Sequence, residues 1–259
     1  MWSQPTVILI TGASAGIGRQ LALDVSKKLE NDKSWILLSS RNKQKLTKLE
    51  TEIKQCNKKV SVGILEWELS NPKASAEYEA DFCSLLPQTD IKVAICIHNA
   101  ASLGDMSQKV VDWNQPATLQ QEFNTNVVSL FMINTAFWSV FTKAQTKLAV
   151  NMTAGSAVTP FVCFGLTAMC KASRQIALKV MALESPDIKV LHFNPGFANT
   201  ESLAVIRDEA HDSGMREFIK DAYKQGLLKM EDITGLLLTT IEQNKFESGD
   251  IVACEWPKK

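Results

Sequence analysis

The chain has 259 residues, 45% of them hydrophobic, and 28 Lys+Arg balance 28 Asp+Glu for zero net charge. That size and apolar fraction suit one α/β domain with a substantial core. A neutral chain without a long basic block is not built for electrostatic capture of nucleic acid or an anionic membrane, and no apolar stretch is long enough to span a bilayer.

In chain order, apolar and β-branched runs predict strands over 6–10, 35–38, 60–65, 93–97, 148–152, 188–193 and 250–254. Between them, helical periodicity covers about 16–30, 42–55, 73–86, 116–144, 164–184 and 230–243. Such alternation means βαβ units and a parallel sheet covered on both faces. The strand runs are continuously apolar rather than alternating, as burial of both faces requires. The fold class is therefore α/β, a single doubly wound parallel sheet of about seven strands with helices on both faces. The stretch 200–228 breaks this rhythm: it is polar, mixed in charge, and reads as a helical flap over a site. The Lys-rich stretch 43–59 carries Leu46, Leu49 and Ile53 at helical spacing and reads as a solvated helix face.

The cysteines Cys56, Cys83, Cys96, Cys163, Cys170 and Cys254 are scattered without a C-x-x-C pair, and the three histidines sit in no carboxylate cluster. Reduced thiols in a cytoplasmic protein and no metal site are expected. The N-terminus enters its first strand without a charged leader, which fits the same compartment.

After the first strand comes Thr11-Gly12-Ala13-Ser14-Ala15-Gly16-Ile17-Gly18. Glycines here permit a tight turn and close approach of backbone to a pyrophosphate at the next helix N-terminus, where N–H groups and the helix dipole favour anions. Gly12, Ser14, Ala15, Gly16, Ile17 and Gly18 are the first cofactor candidates. The second strand runs into Ser40-Arg41-Asn42. A free ribose 2′-OH calls for Asp or Glu at that point, whereas a cation favours a 2′-phosphate, so NADP(H) is expected over NAD(H). Asn99 and Ala100 follow the fourth strand, and Pro195, Gly196 and Thr200 follow the sixth, at the carboxyl edge where such ligands lie.

Together these features resemble the short-chain dehydrogenase/reductase family, over essentially the whole chain. Within it the sequence is similar to the sepiapterin reductase branch, through Ala101-Ser-Leu-Gly-Asp-Met-Ser107, Ala182-Leu-Glu-Ser-Pro-Asp-Ile-Lys-Val-Leu191 and Lys245-Phe-Glu-Ser-Gly249 in that order. The resemblance implies a single NAD(P)-binding Rossmann-type domain over 1–259. It also implies NADPH-driven reduction of a small carbonyl substrate, a pterin side chain in tetrahydrobiopterin synthesis. A cytoplasmic homodimer paired through helices 116–144 and 164–184 is implied as well.

Position by position, the resemblance places the family's helix asparagine at Asn126 and its lysine at Lys171. It implies that the lysine ammonium holds the nicotinamide ribose and lowers the pKa of a catalytic tyrosine four residues earlier. That tyrosine position is Thr167, and the partnering serine position is Ala154. The glycine usual after Asn99-Ala100 is Ala101, and the arginine common in the first turn is Ala15, which leaves Arg41 to meet a 2′-phosphate. The pterin-anchoring carboxylate falls near Ala253, with Glu255 two residues on as a substitute on the same strand face. Ser156, two residues past Ala154, is the candidate replacement hydroxyl on the substrate side, and Tyr223 in the flap is a second place to look for a phenol. Two readings stay open: a reductase with altered or weak chemistry, on a more electrophilic carbonyl such as a diketone, or an NADP(H)-binding pseudoenzyme with a sensing or scaffolding role.

Overall fold

The computed structural model describes residues 1–86 and 90–255. Seven strands form one sheet: β1 (Thr6–Thr11), β2 (Trp35–Ser40), β3 (Ser61–Glu66), β4 (Val93–His98), β5 (Thr146–Met152), β6 (Ile188–Asn194) and β7 (Asp250–Ala253). All pairings are parallel, and the order is β3-β2-β1-β4-β5-β6-β7. The direction of winding reverses between β1 and β4, which opens a crevice at their carboxyl ends.

Alternate β1 side chains explain why the run had to be apolar throughout. Ile8 and Ile10 enter one core, while Val7 and Leu9 enter the core on the opposite face. Each such fully buried aliphatic side chain contributes about 1.5–3 kcal/mol. The first face carries α1 (Gly16–Lys28), α2 (Lys43–Cys56) and α9 (Met230–Gln243), through residues such as Leu21, Leu46 and Leu237. The second carries α3 (Ser75–Leu85), α5 (Ser129–Val140) and α6 (Gly165–Glu184), through Phe82, Phe137 and Leu178. In α2 the periodic Leu46, Leu49 and Ile53 are the buried residues, and Asn42 caps the helix by accepting from Lys45 N at 2.9 Å.

The long helical segment is interrupted. α4 (Pro116–Phe123) passes through a π-helical turn (Asn124–Val128) into α5. Such turns are rare and recur at functional sites, because one extra residue re-aims a side chain. The irregular stretch after β6 forms α7 (Glu201–Glu209) and α8 (Ser213–Gln225), joined through an apolar cluster of Met106, Leu203, Ile206, Ala210 and Ile219. No helix among the described residues is long and apolar enough to cross a membrane.

Candidate active site

A cleft of about 1680 Å³ opens at the carboxyl edge of the sheet. Gly12, Ser14, Ala15, Gly16, Ile17, Ser40, Arg41, Asn42, Asn99, Ala100, Ala154, Ser156, Thr167, Lys171, Pro195, Gly196 and Thr200 all border it. Residues far apart in sequence meet there because parallel strands present all their carboxyl ends on one side.

The glycine turn is shaped by close approach. Gly12 has φ +68°, and a Cβ there would lie 2.9 Å from Ala100 Cα. Gly18 is buried and does not border the cleft; a Cβ on it would come within 2.5 Å of Gly12 O and Asn99 Nδ2. Its role is to let α1 pack onto the turn, and Asn99 pins that turn by donating from Nδ2 to Thr11 O at 2.9 Å and Gly12 O at 3.2 Å. The N-terminus of α1 has no side-chain cap and no acidic residue in its first turn. Its unpaired N–H groups and the positive end of its dipole face the cleft, an anion site in waiting.

Arg19, Arg41, Lys43 and Lys45 border the cleft at this end. Arg19, a position sequence reasoning passed over although it directly follows the turn, borders the cleft but is engaged with Glu52 of α2. Arg41 is looser: its side chain is 77% exposed and its nearest carboxylate, on Glu68, is 4.0 Å away.

At the other end lie the altered positions. Thr167 Oγ1 donates to Leu103 O at 3.0 Å, so its hydroxyl is turned onto the β4–α4 loop. Ala154 caps a 3₁₀ turn (Gly155–Ala157) that bends the chain at the end of β5. The bend brings Ser156 to the cleft, where its buried Oγ has no hydrogen-bond partner among the described residues. Thr153 instead donates to Gln175 Oε1 at 3.1 Å. Lys171 is 8% exposed, and its Nζ donates to Met152 O at 2.6 Å. Burial, reinforced by the Arg174 guanidinium, holds its pKa well below the usual lysine value. Arg174 itself donates to His98 O at 2.7 Å and Ala100 O at 3.2 Å, tying α6 to the loop after β4.

Besides Gly18, three expectations are revised. Asn126 does not border the cleft: it sits in the π-helical turn, accepts from Ser102 N at 2.9 Å and donates to Glu122 O at 3.0 Å and Glu122 Oε2 at 3.3 Å. Its visible role is to hold the loop, and the neighbouring carboxylate of Glu122, unnoticed in the sequence though one helical turn away, does border the cleft. The strand expected over 250–254 ends at Ala253, so Glu255 lies past it; both residues are exposed and neither borders the cleft. β7 is a short edge strand, too short to carry a carboxylate back over the site. Tyr223 packs in the α7–α8 cluster with Arg207 5.1 Å from its ring centre, away from the cleft. The remaining wall was also illegible as a site in the sequence: Leu103, Phe161, Phe164, Leu203, Ile206, Met215 and Phe218 make the substrate end largely apolar.

A doubly wound sheet whose first βα turn is a glycine cradle at the switch-point crevice defines a Rossmann-type protein. Residues 6–211 match the sequence profile of the short chain dehydrogenases, and the chain belongs to that family. It is similar to the sepiapterin reductase of Bos taurus, 28% identical over 247 residues that cover 94% of this chain and 92% of that protein. It is also similar to the benzil reductase ((S)-benzoin forming) of Bacillus subtilis, 24% identical over 250 residues that cover 94% and 96%. In fold it matches a short chain dehydrogenase of Shigella flexneri 2a solved in complex with NADP, with TM-score 0.78, 22% identity, and 97% and 98% of the two chains covered.

Proposed function

We propose that this protein is an NADP(H)-dependent oxidoreductase that reduces a small, electrophilic carbonyl compound without the family's tyrosine. The observation that carries the reading is the uncapped, carboxylate-free N-terminus of α1, set at a glycine cradle on the same cleft as the buried Lys171. The residues fit a dinucleotide: the turn closes tightly because Gly12 has no Cβ to meet Ala100, and the exposed Arg41 on the cleft border supports a 2′-phosphate. A bound NADPH supplies a hydride to a carbonyl carbon. Lys171 then orients the nicotinamide ribose, and burial beside Arg174, which holds its pKa well below the usual lysine value, makes its ammonium readier to release a proton than an exposed lysine. Ser156 Oγ, unpartnered at the cleft, offers the hydroxyl that Ala154 lacks. The apolar wall excludes water from the developing alkoxide.

The substrate side favours an activated carbonyl over a pterin. Ala253 and Glu255 supply no carboxylate to the cleft, and a polar bicyclic ring would face mostly aliphatic and aromatic side chains. A 1,2-diketone needs less help from an acid because its carbonyl is more electrophilic, and the likeness to a benzil reductase points the same way. The likeness to sepiapterin reductases supports a pterin carbonyl as the competing substrate. Homodimerisation, in the cytoplasm, belongs to the same reading: Met169, Ile176, Val180 and Leu183 form an exposed apolar stripe along α6.

A pseudoenzyme reading is favoured by one observation, the commitment of Thr167 Oγ1 to Leu103 O beside Ala154. Titration of NADPH fluorescence followed by single-turnover oxidation, with benzil and with sepiapterin, separates the two. Saturable NADPH binding, weakened about tenfold by Arg41→Ala with NADH binding unchanged, supports the cofactor assignment. Turnover above the solution rate supports the enzyme, and tight binding with no turnover on either compound supports the pseudoenzyme.

A further inference from the structure

Cys163 stands outside the cofactor chemistry and is unusual on two counts. It is one of two non-glycine residues among those described with positive φ, at +73°, where a side chain is strained. Its sulfur also lies 3.8 Å from Nε2 of His211, contributed by the link between α7 and α8.

The imidazole is oriented by a third group. His211 Nδ1 lies 3.2 Å from Met106 O, and His211 N donates to the same carbonyl at 2.9 Å. A carbonyl only accepts, so Nδ1 carries the proton and Nε2 presents its lone pair to the thiol. A nucleophile, a base within reach and a group that fixes the tautomer of the base are the elements of an activated thiol. The surroundings suit an apolar reactant, since Cys163 packs against the cluster of Met106, Leu203, Ile206, Ala210 and Ile219 while remaining partly exposed. None of the other five cysteines has a histidine so placed apart from Cys96, which is buried beside His98.

We propose that Cys163 and His211 form a nucleophilic site, apart from the cleft, that adds to conjugated carbonyl compounds. As Sγ bonds to the β-carbon, Nε2 takes the thiol proton and the C=C electron pair moves onto the α-carbon. The imidazolium returns the proton to the α-carbon, leaving a thioether and no lost atoms.

The test is timed labelling of the full chain with acrylamide at neutral pH, read peptide by peptide by mass spectrometry. Cys163 is expected to react about tenfold or more faster than the exposed Cys56 and Cys83, and His211→Gln is expected to remove that advantage while leaving the other two rates unchanged. Should His211→Gln not fold, the wild-type rate ratio decides alone. Labelling of Cys163 no faster than Cys56 and Cys83, or a Cys163 rate indifferent to His211→Gln, overturns the proposal. The measurement needs no cofactor, so its outcome is independent of the reductase reading.

Discussion

At the scale of single residues, the chemistry turns on where three side-chain polar atoms point and on one that is missing. Thr167 spends its hydroxyl on Leu103 O, Lys171 spends one donor on Met152 O, Ala154 has none to offer, and Ser156 has one unspent. The double change Thr167→Tyr with Ala154→Ser restores a phenol and a polarising hydroxyl. Single-turnover NADPH oxidation is expected to rise at least about a hundredfold, since a general acid contributes roughly 10²–10⁴ and an oxyanion donor roughly 10²–10³, and the two act as a unit. No gain would mean that the apolar substrate end has diverged beyond those two positions. The alterations were legible through the resemblance to the family, which sets a tyrosine where Thr167 stands four residues before Lys171. The commitments of their neighbours were not. Asn126 illustrates the difference: its identity is readable, but its turning toward Ser102 and Glu122 depends on a π-helical turn that no periodicity announced.

At the scale of elements, the β1–α1 unit is the most constrained part of the site. The turn works only if α1 seats against it without a side chain at Gly18, where a Cβ would meet backbone at 2.5 Å. Gly18→Ala is therefore expected to destabilise the protein by about 1–3 kcal/mol in urea unfolding and to weaken NADPH binding in parallel, as overpacking does. A variant of unchanged stability would mean that the turn yields more easily than this packing implies. Most elements were legible: the strand runs and the periodic helices lie within a few residues of where sequence placed them, because both-face burial demands continuous apolar strands. The ends of elements were less so. β7 stops at Ala253 rather than reaching Glu255, and one expected helix divides into α4, a π-helical turn and α5. Such endings are decided by hydrogen bonds to distant segments.

At the scale of the whole molecule, burial sets the response to acid and the exposed α6 stripe sets the expected assembly. Burial in the core, helped by Arg174, lowers the pKa of His98 to about 3, and burial lowers that of His192 to about 4. Both are neutral in the fold, so below about pH 6.5 the unfolded chain takes up protons that the folded chain refuses. Their stabilising effect is complete above that point and is lost as pH falls toward 4. His98→Asn is expected to lower the slope of unfolding free energy against pH by about 1 kcal/mol per unit in this window, measured by urea unfolding; an unchanged slope refutes it. Leu183, 82% exposed on α6, is expected to lie in the dimer face, and Leu183→Glu to shift sedimentation toward monomer. A wild-type monomer at micromolar concentration would exclude that face as a stable interface. By itself the sequence determined the fold class, the glycine turn and the cation after β2, because those follow from local periodicity and fixed spacing, while Thr167 and Ala154 stand out only through the resemblance to the family. Only the tertiary structure decided that Glu122, Ser156 and the apolar wall share the cleft while Asn126, Ala253 and Glu255 do not, and that Cys163 meets His211. Those relations join side chains on separate elements, and the packing of α6, α7 and α8 over the sheet edge, not any local pattern, brings them within reach.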